Sequence, residues 1–169
     1  MRWPWLLLPV LLGTGCAGLD PAEAYRAAAR SLNFKLEGVH PRMDLQFPLD
    51  RSGLVLGVDL GVENPSGLRL AARTLGGTVH LEGAQGSFPL GVVSFPGGAV
   101  LEPASRKTLR AEIRLPYGDL RSAWKLLEGV ALRGQAGTWR LEGKATMEVL
   151  GLPFELPLRA SRRTGSASP

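Results

Sequence analysis

Three observations predict a mainly all-β fold, an antiparallel β-sandwich with one inserted α-helix and an N-terminal helical stalk. From Leu32 onward the apolar residues recur mostly with a period of two, the mark of strands with one wet and one dry face. Turn-forming residues are abundant, with 22 glycines and 13 prolines in 169 residues, which disfavours a helix bundle. Past residue 31 only one stretch carries helical spacing: Leu120, Ala123, Trp124 and Leu127 at i, i+3, i+4 and i+7.

The N-terminus reads as an export signal. One Arg precedes an apolar run ending at Leu12, then small residues lead to Cys16, the only cysteine. The run is shorter than the ~20 residues that cross a bilayer as a helix. Leu11-Leu12-Gly13-Thr14-Gly15-Cys16 resembles a bacterial lipobox, although Gly13 stands where that motif prefers Leu. The resemblance implies acylation of the Cys16 thiol and cleavage just before it. Gly15-Cys16-Ala17 also fits an ordinary signal-peptidase site, with cleavage after Ala17 and release of a soluble secreted protein. Next, Asp20-Pro21-Ala22-Glu23 has the grammar of a helix start, and Ala-rich residues to 31 predict a short helix or stalk.

The strands follow in order. Leu32, Phe34 and Leu36 alternate with polar residues, and Pro41 and Pro48 punctuate what comes next. Leu54, Leu56, Val58, Leu60 and Val62 form one apolar face, which Asn64-Pro65 ends. Gly53, Gly57 and Gly61, spaced by four on the opposite face, read as places where another backbone or side chain crosses closely. Shorter strands are expected at 68–72, 78–82 and 87–95, the last interrupted at Pro89. Lys107–Leu115 and Thr138–Val149 alternate cleanly, a helix over about 117–128 separates them, with Gly129 as its stop, and a last strand runs through Leu152, Phe154, Leu156 and Leu158. This gives about seven strands in two sheets. Trp124 and Trp139 fall on apolar faces and are expected in the core.

The strand ending in Asn64-Pro65, the following Leu68-Arg69-Leu70, the hairpin toward Gly83, the helix and the closing Trp139-Arg140-Leu141-Glu142-Gly143 together resemble the late-embryogenesis-abundant type 2 (water stress and hypersensitive response) domain. The resemblance implies a fibronectin-like or immunoglobulin-like sandwich over residues 34–160, no enzymatic activity, and structural motif positions at Asn64, Pro65 and Gly143. The resulting division is a signal peptide at 1–15, a lipid anchor and helical linker at 16–33, the domain at 34–160 and a basic flexible tail at 161–169.

Composition narrows the function. The net charge is +5, and 16 arginines mostly alternate with acids, as in Arg110, Glu112 and Arg114, so no same-sign stripe for nucleic acid forms. Two histidines, one cysteine, no H-E-x-x-H, no C-x-x-C and no acidic calcium loop leave no metal site, and no cofactor is expected. No G-x-S-x-G elbow is present. The expectation is a non-catalytic, monomeric, membrane-anchored envelope lipoprotein with a stress-protective or interaction role, held through acylated Cys16 at the periplasmic or outer face of a cell-envelope membrane, with envelope proteins or lipids as partners and no nucleic acid. The alternative is a module that binds or transfers an apolar ligand such as a lipid between the two sheets.

Overall fold

The computed structural model describes residues 20–47, 51–84, 86–95, 98–116, 118–120, 123–149 and 151–165. The signal segment and Cys16 lie outside the described residues.

The first element, α1 (Pro21–Arg30), starts as its sequence dictates: the Asp20 carboxylate accepts from the Ala22 N–H at 3.0 Å, with Pro21 in the first turn. It does not stand away from the domain as a stalk. Ala28 and Ala29 are buried, the Tyr25 hydroxyl accepts from the Ala71 N–H at 3.1 Å, and the Arg30 guanidinium lies 5.6 Å from the Phe154 ring centre. The alanines let the helix backbone sit close against the sheet.

Among the described residues eight strands follow: β1 (Asn33–Asp44), β2 (Gly53–Asn64), β3 (Leu70–Gly83), β4 (Gly86–Phe95), β5 (Ala99–Leu101), β6 (Ser105–Pro116), β7 (Gly137–Val149) and β8 (Leu152–Thr164). They form two antiparallel sheets, a three-stranded β1-β2-β6 and a five-stranded β4-β3-β7-β8 in which β5 also pairs with β3. Proline marks the edges. Pro41, Pro89, Pro116, Pro153 and Pro157 all lie on edge strands β1, β4, β6 and β8, and the central β2, β3 and β7 have none. An edge strand has one row of backbone groups with no ladder partner, so a missing N–H costs little there and discourages pairing with another chain.

The core lies between the sheets. Leu54, Leu56, Val58, Leu60 and Val62 of β2 face Leu70, Leu75, Val79 and Leu81 of β3, Trp139, Leu141, Ala145 and Met147 of β7, and Leu156 and Leu158 of β8, all buried. Trp139 is 2 % exposed, as its alternation requires, whereas Trp124 is only partly buried against the core. Burying one such large side chain contributes roughly 1.5–3 kcal/mol, so this layer dominates stability.

Further expectations need correction. The stretches 68–72 and 78–82 are one strand, β3, carried past Gly76-Gly77 with an irregularity between Ala72 and Thr74. The glycines do not break it because the backbone of β7 runs close beside them: a Cβ on Gly77 would meet the Glu142 carbonyl oxygen at 2.3 Å. The short β5 was not expected, since three residues show too little alternation to register. Of the expected helix over 117–128, the described residues show α2 (Trp124–Leu127), which continues as a π-helical turn at Glu128–Leu132. Leu120, Ala123 and Leu127 do form the buried face. Gly129 is not the stop. The Gln135 side chain folds over it, and the chain turns at Gly134, whose φ of 66° suits glycine. Finally, β8 runs to Thr164, so Arg162 and Arg163 sit on a strand paired with β7 and not in a flexible tail.

Candidate functional site

The outward face of the three-stranded sheet is built on β2. Gly53, Val55, Gly57, Asp59, Gly61 and Glu63 alternate with the buried apolar set, so β2 presents three glycines between two flanking strands of long polar side chains. Register sets the rows across the sheet. Arg42, Val55 and Arg114 share one row, His40, Gly57 and Glu112 the next, and Gly38, Asp59 and Arg110 the third. A bulge between Leu36 and Gly38 adds one residue to β1 and re-aims the strand, so that both Glu37 and His40 lie on the outer side.

Each glycine has a different neighbour. A Cβ on Gly53 would meet the Leu115 carbonyl oxygen at 2.5 Å. Gly61 is roofed by the Glu37 side chain, which would lie 2.4 Å from a Cβ there. Glu37 crosses β2 to reach β6, accepting from the Thr108 hydroxyl at 2.8 Å and pairing with the Arg106 guanidinium. The Thr108 hydroxyl, and after it Arg106, hold the Glu37 carboxyl below the usual glutamate range, because both favour its charged form. Over Gly57 there is no such roof; the nearest atom to a Cβ there is the His40 Cβ at 3.6 Å. The result is a trough of about 440 Å³ whose floor is Gly57 and Val55. A second hollow, also of about 440 Å³, shares Arg42, Val55 and Glu112 with it and continues to Asp44 and Arg114.

One side of the trough is fixed by Asp59. Its carboxylate pairs with Arg110 of β6 at 3.2 Å and lies 3.1 Å from His40 Nε2 of β1. Asp59 is 19 % exposed, while its two partners are largely in solvent. Farther along, Arg114 pairs with Asp44 at 2.7 Å. Arg42 and Glu112 form no ion pair among the described residues.

The residues singled out by sequence lie elsewhere. Asn64 is fully buried at the end of β2. Its amide donates to the carbonyls of Leu68, Leu101 and Glu102 at 2.8, 3.2 and 2.9 Å, and its side-chain oxygen accepts from the Ser66 N–H and hydroxyl. It therefore ties the β2–β3 connection to the end of β5. Pro65 follows it, exposed, where the ladder stops. Gly143 pairs with Gly77, and a Cβ there would meet the Gly76 carbonyl oxygen at 2.0 Å, so close strand approach requires glycine. Both positions are architectural. Among the described residues no group of three or more histidine, cysteine or acidic side chains could hold a metal ion, and no helix is long and apolar enough to cross a membrane.

Sequence reasoning noticed the four-residue glycine spacing and the alternating charges at Arg110, Glu112 and Arg114. It could not see that pairing sets them side by side, nor that Gly57 alone of the three glycines is left open.

No family model and no curated protein matches the chain. Solved structures do. The solution structure of an Arabidopsis thaliana protein aligns at a TM-score of 0.50 and 17% identity, covering 77% of this chain and 78% of that one. A solution structure provisionally assigned to the late embryogenesis abundant proteins aligns at 0.46 and 14%, covering 84% and 76%. An Archaeoglobus fulgidus protein aligns at 0.44 and 16%, covering 79% and 99%. At such identities the likeness to the Arabidopsis protein is one of fold: a two-sheet β-sandwich.

Proposed function

We propose that this chain is a non-catalytic domain of the late-embryogenesis-abundant type 2 kind, tethered to a cell-envelope membrane through an acylated Cys16, with a stress-protective or interaction role. The observation that carries the reading is the docking of α1. Only three residues separate Cys16 from Asp20, the cap of α1, and α1 is packed on the sandwich through Tyr25, Ala28, Ala29 and Arg30. A tether so short would hold the domain next to the bilayer. Two or three acyl chains on one residue give firm attachment where a single chain gives marginal binding. The fold likeness to the Arabidopsis protein supports the β-sandwich that this reading requires.

The deciding measurement is the intact mass of the mature protein purified from its own host. The expected species begins at Cys16 and carries a diacylglyceryl group, with or without a further acyl chain. A species beginning at Gly18 with no added mass overturns the tether. The protective role is tested separately: a deletion strain is expected to lose viability on drying, heating or envelope stress, and survival equal to that of the parent refutes it.

A further inference from the structure

We propose that the trough over Gly57 is a binding site for a small zwitterion, with the ligand's carboxylate on Arg42 and its cationic nitrogen on Glu112. The argument starts from which charges are already satisfied. Asp59 is taken by Arg110 and His40, and Arg114 is taken by Asp44. The two that remain, Arg42 on β1 and Glu112 on β6, are opposite in sign and line both hollows. They stand on opposite sides of β2, one row apart. Strands about 4.8 Å apart put β1 and β6 roughly 10 Å from each other, and no ion pair joins Arg42 to Glu112 across that span, so each can take one end of a molecule of a few carbons laid along the trough.

The floor fits such a ligand. Gly57 offers backbone with no side chain above it, and Val55 offers an apolar surface for methylene groups. The balance of charge selects the class. Around the two hollows three guanidiniums, of Arg42, Arg110 and Arg114, face three carboxylates, of Asp44, Asp59 and Glu112. A simple anion or cation gains little net attraction there, whereas a dipolar molecule gains at both ends. A guanidinium can hold a carboxylate through two parallel N–H donors, which also orients the ligand.

The test uses the full chain in mild detergent, with 4-aminobutyrate as the probe and butyrate and butylammonium as single-charge controls, read by amide chemical shifts. Saturable shifts at Gly57 and Val55 are expected with 4-aminobutyrate on the order of 1–10 mM, and about tenfold weaker binding by each control. Arg42→Gln and Glu112→Gln are each expected to weaken binding about tenfold. Gly57→Val should abolish it by filling the floor, with the melting temperature unchanged or raised. If that variant misfolds, the two Gln substitutions at exposed positions still decide. No saturable shift at these amides overturns the proposal. So does equal binding by butyrate, which would make the trough an anion site, or by butylammonium, which would make it a cation site.

Discussion

Gly61 and Gly57 lie four residues apart on one strand, face the same way and have the same flanking strands, yet the surface above them differs. Glu37 lies over Gly61 and ties β1 to β6 through Thr108 and Arg106. Over Gly57 no side chain makes such a crossing: in the row on one side Asp59 is braced by Arg110 and His40, while Glu112 in Gly57's own row and Arg42 in the row on the other side form no ion pair among the described residues. The bulge at Leu36/Gly38 separates the two situations, since it lets one β1 side chain reach inward over β2 and swings the next toward Asp59. A glycine on the outer face of a sheet thus serves either as the seat of a strut or as the floor of a hollow, and neighbouring strands decide which.

The strongest way to disturb the closed end is at its root. Asn64→Ala removes a buried amide that satisfies three carbonyls and accepts two hydrogen bonds, leaving the β2–β3 corner and the end of β5 unpaired. A loss of about 2–4 kcal/mol is expected in denaturant unfolding. Next comes Gly61→Val, which evicts Glu37 from its partners. The neighbour is a flexible side chain and the pairs are exposed, so a loss of about 1 kcal/mol is expected. The same substitution at Gly57 sharpens the contrast. It meets only ordinary contacts, and valine favours a strand where glycine does not, so a gain of up to about 1 kcal/mol is expected. Equal effects at the two glycines would erase the distinction.

The smallest effect is in pH. Because the folded pKa of Glu37 is depressed, its contribution is present in full above the ordinary glutamate value of about 4.3 and is lost as the pH falls below it through the lower folded value. Wild type is therefore expected to lose more stability than Glu37→Gln between pH 6 and pH 3, by a few tenths of a kcal/mol as a rough figure for an exposed pair. Parallel curves for the two proteins would remove the strut from the account of the Gly61 end.

Much of the architecture was readable from residues alone. The period-two runs located the long strands, and Trp139 fell in the core because its strand alternates without interruption. Asp20 began the helix it was expected to begin. The edge strands, too, were written in the positions of proline, though only the strand order makes the pattern visible. What escaped was set by contacts distant in sequence. The stretches 68–72 and 78–82 read as two short strands, and only the β7 backbone close beside Gly76-Gly77 makes them one. Gly129 read as a helix stop, but Gln135 occupies the space that its missing side chain leaves. α1 read as a short helix or stalk from its Ala-rich sequence, while Ala71 and Phe154 give it partners on the domain.

By itself the sequence determined the class of fold, the inward and outward face of nearly every long strand, and the lack of any motif for metal or nucleophile chemistry, because each depends on residues a few positions apart. Only the tertiary structure decided which of three equivalent glycines is roofed, which is sealed by backbone and which lies open. That choice rests on strand register and one bulged residue, and register is a property of pairs of strands, fixed when the two sheets close on a common core.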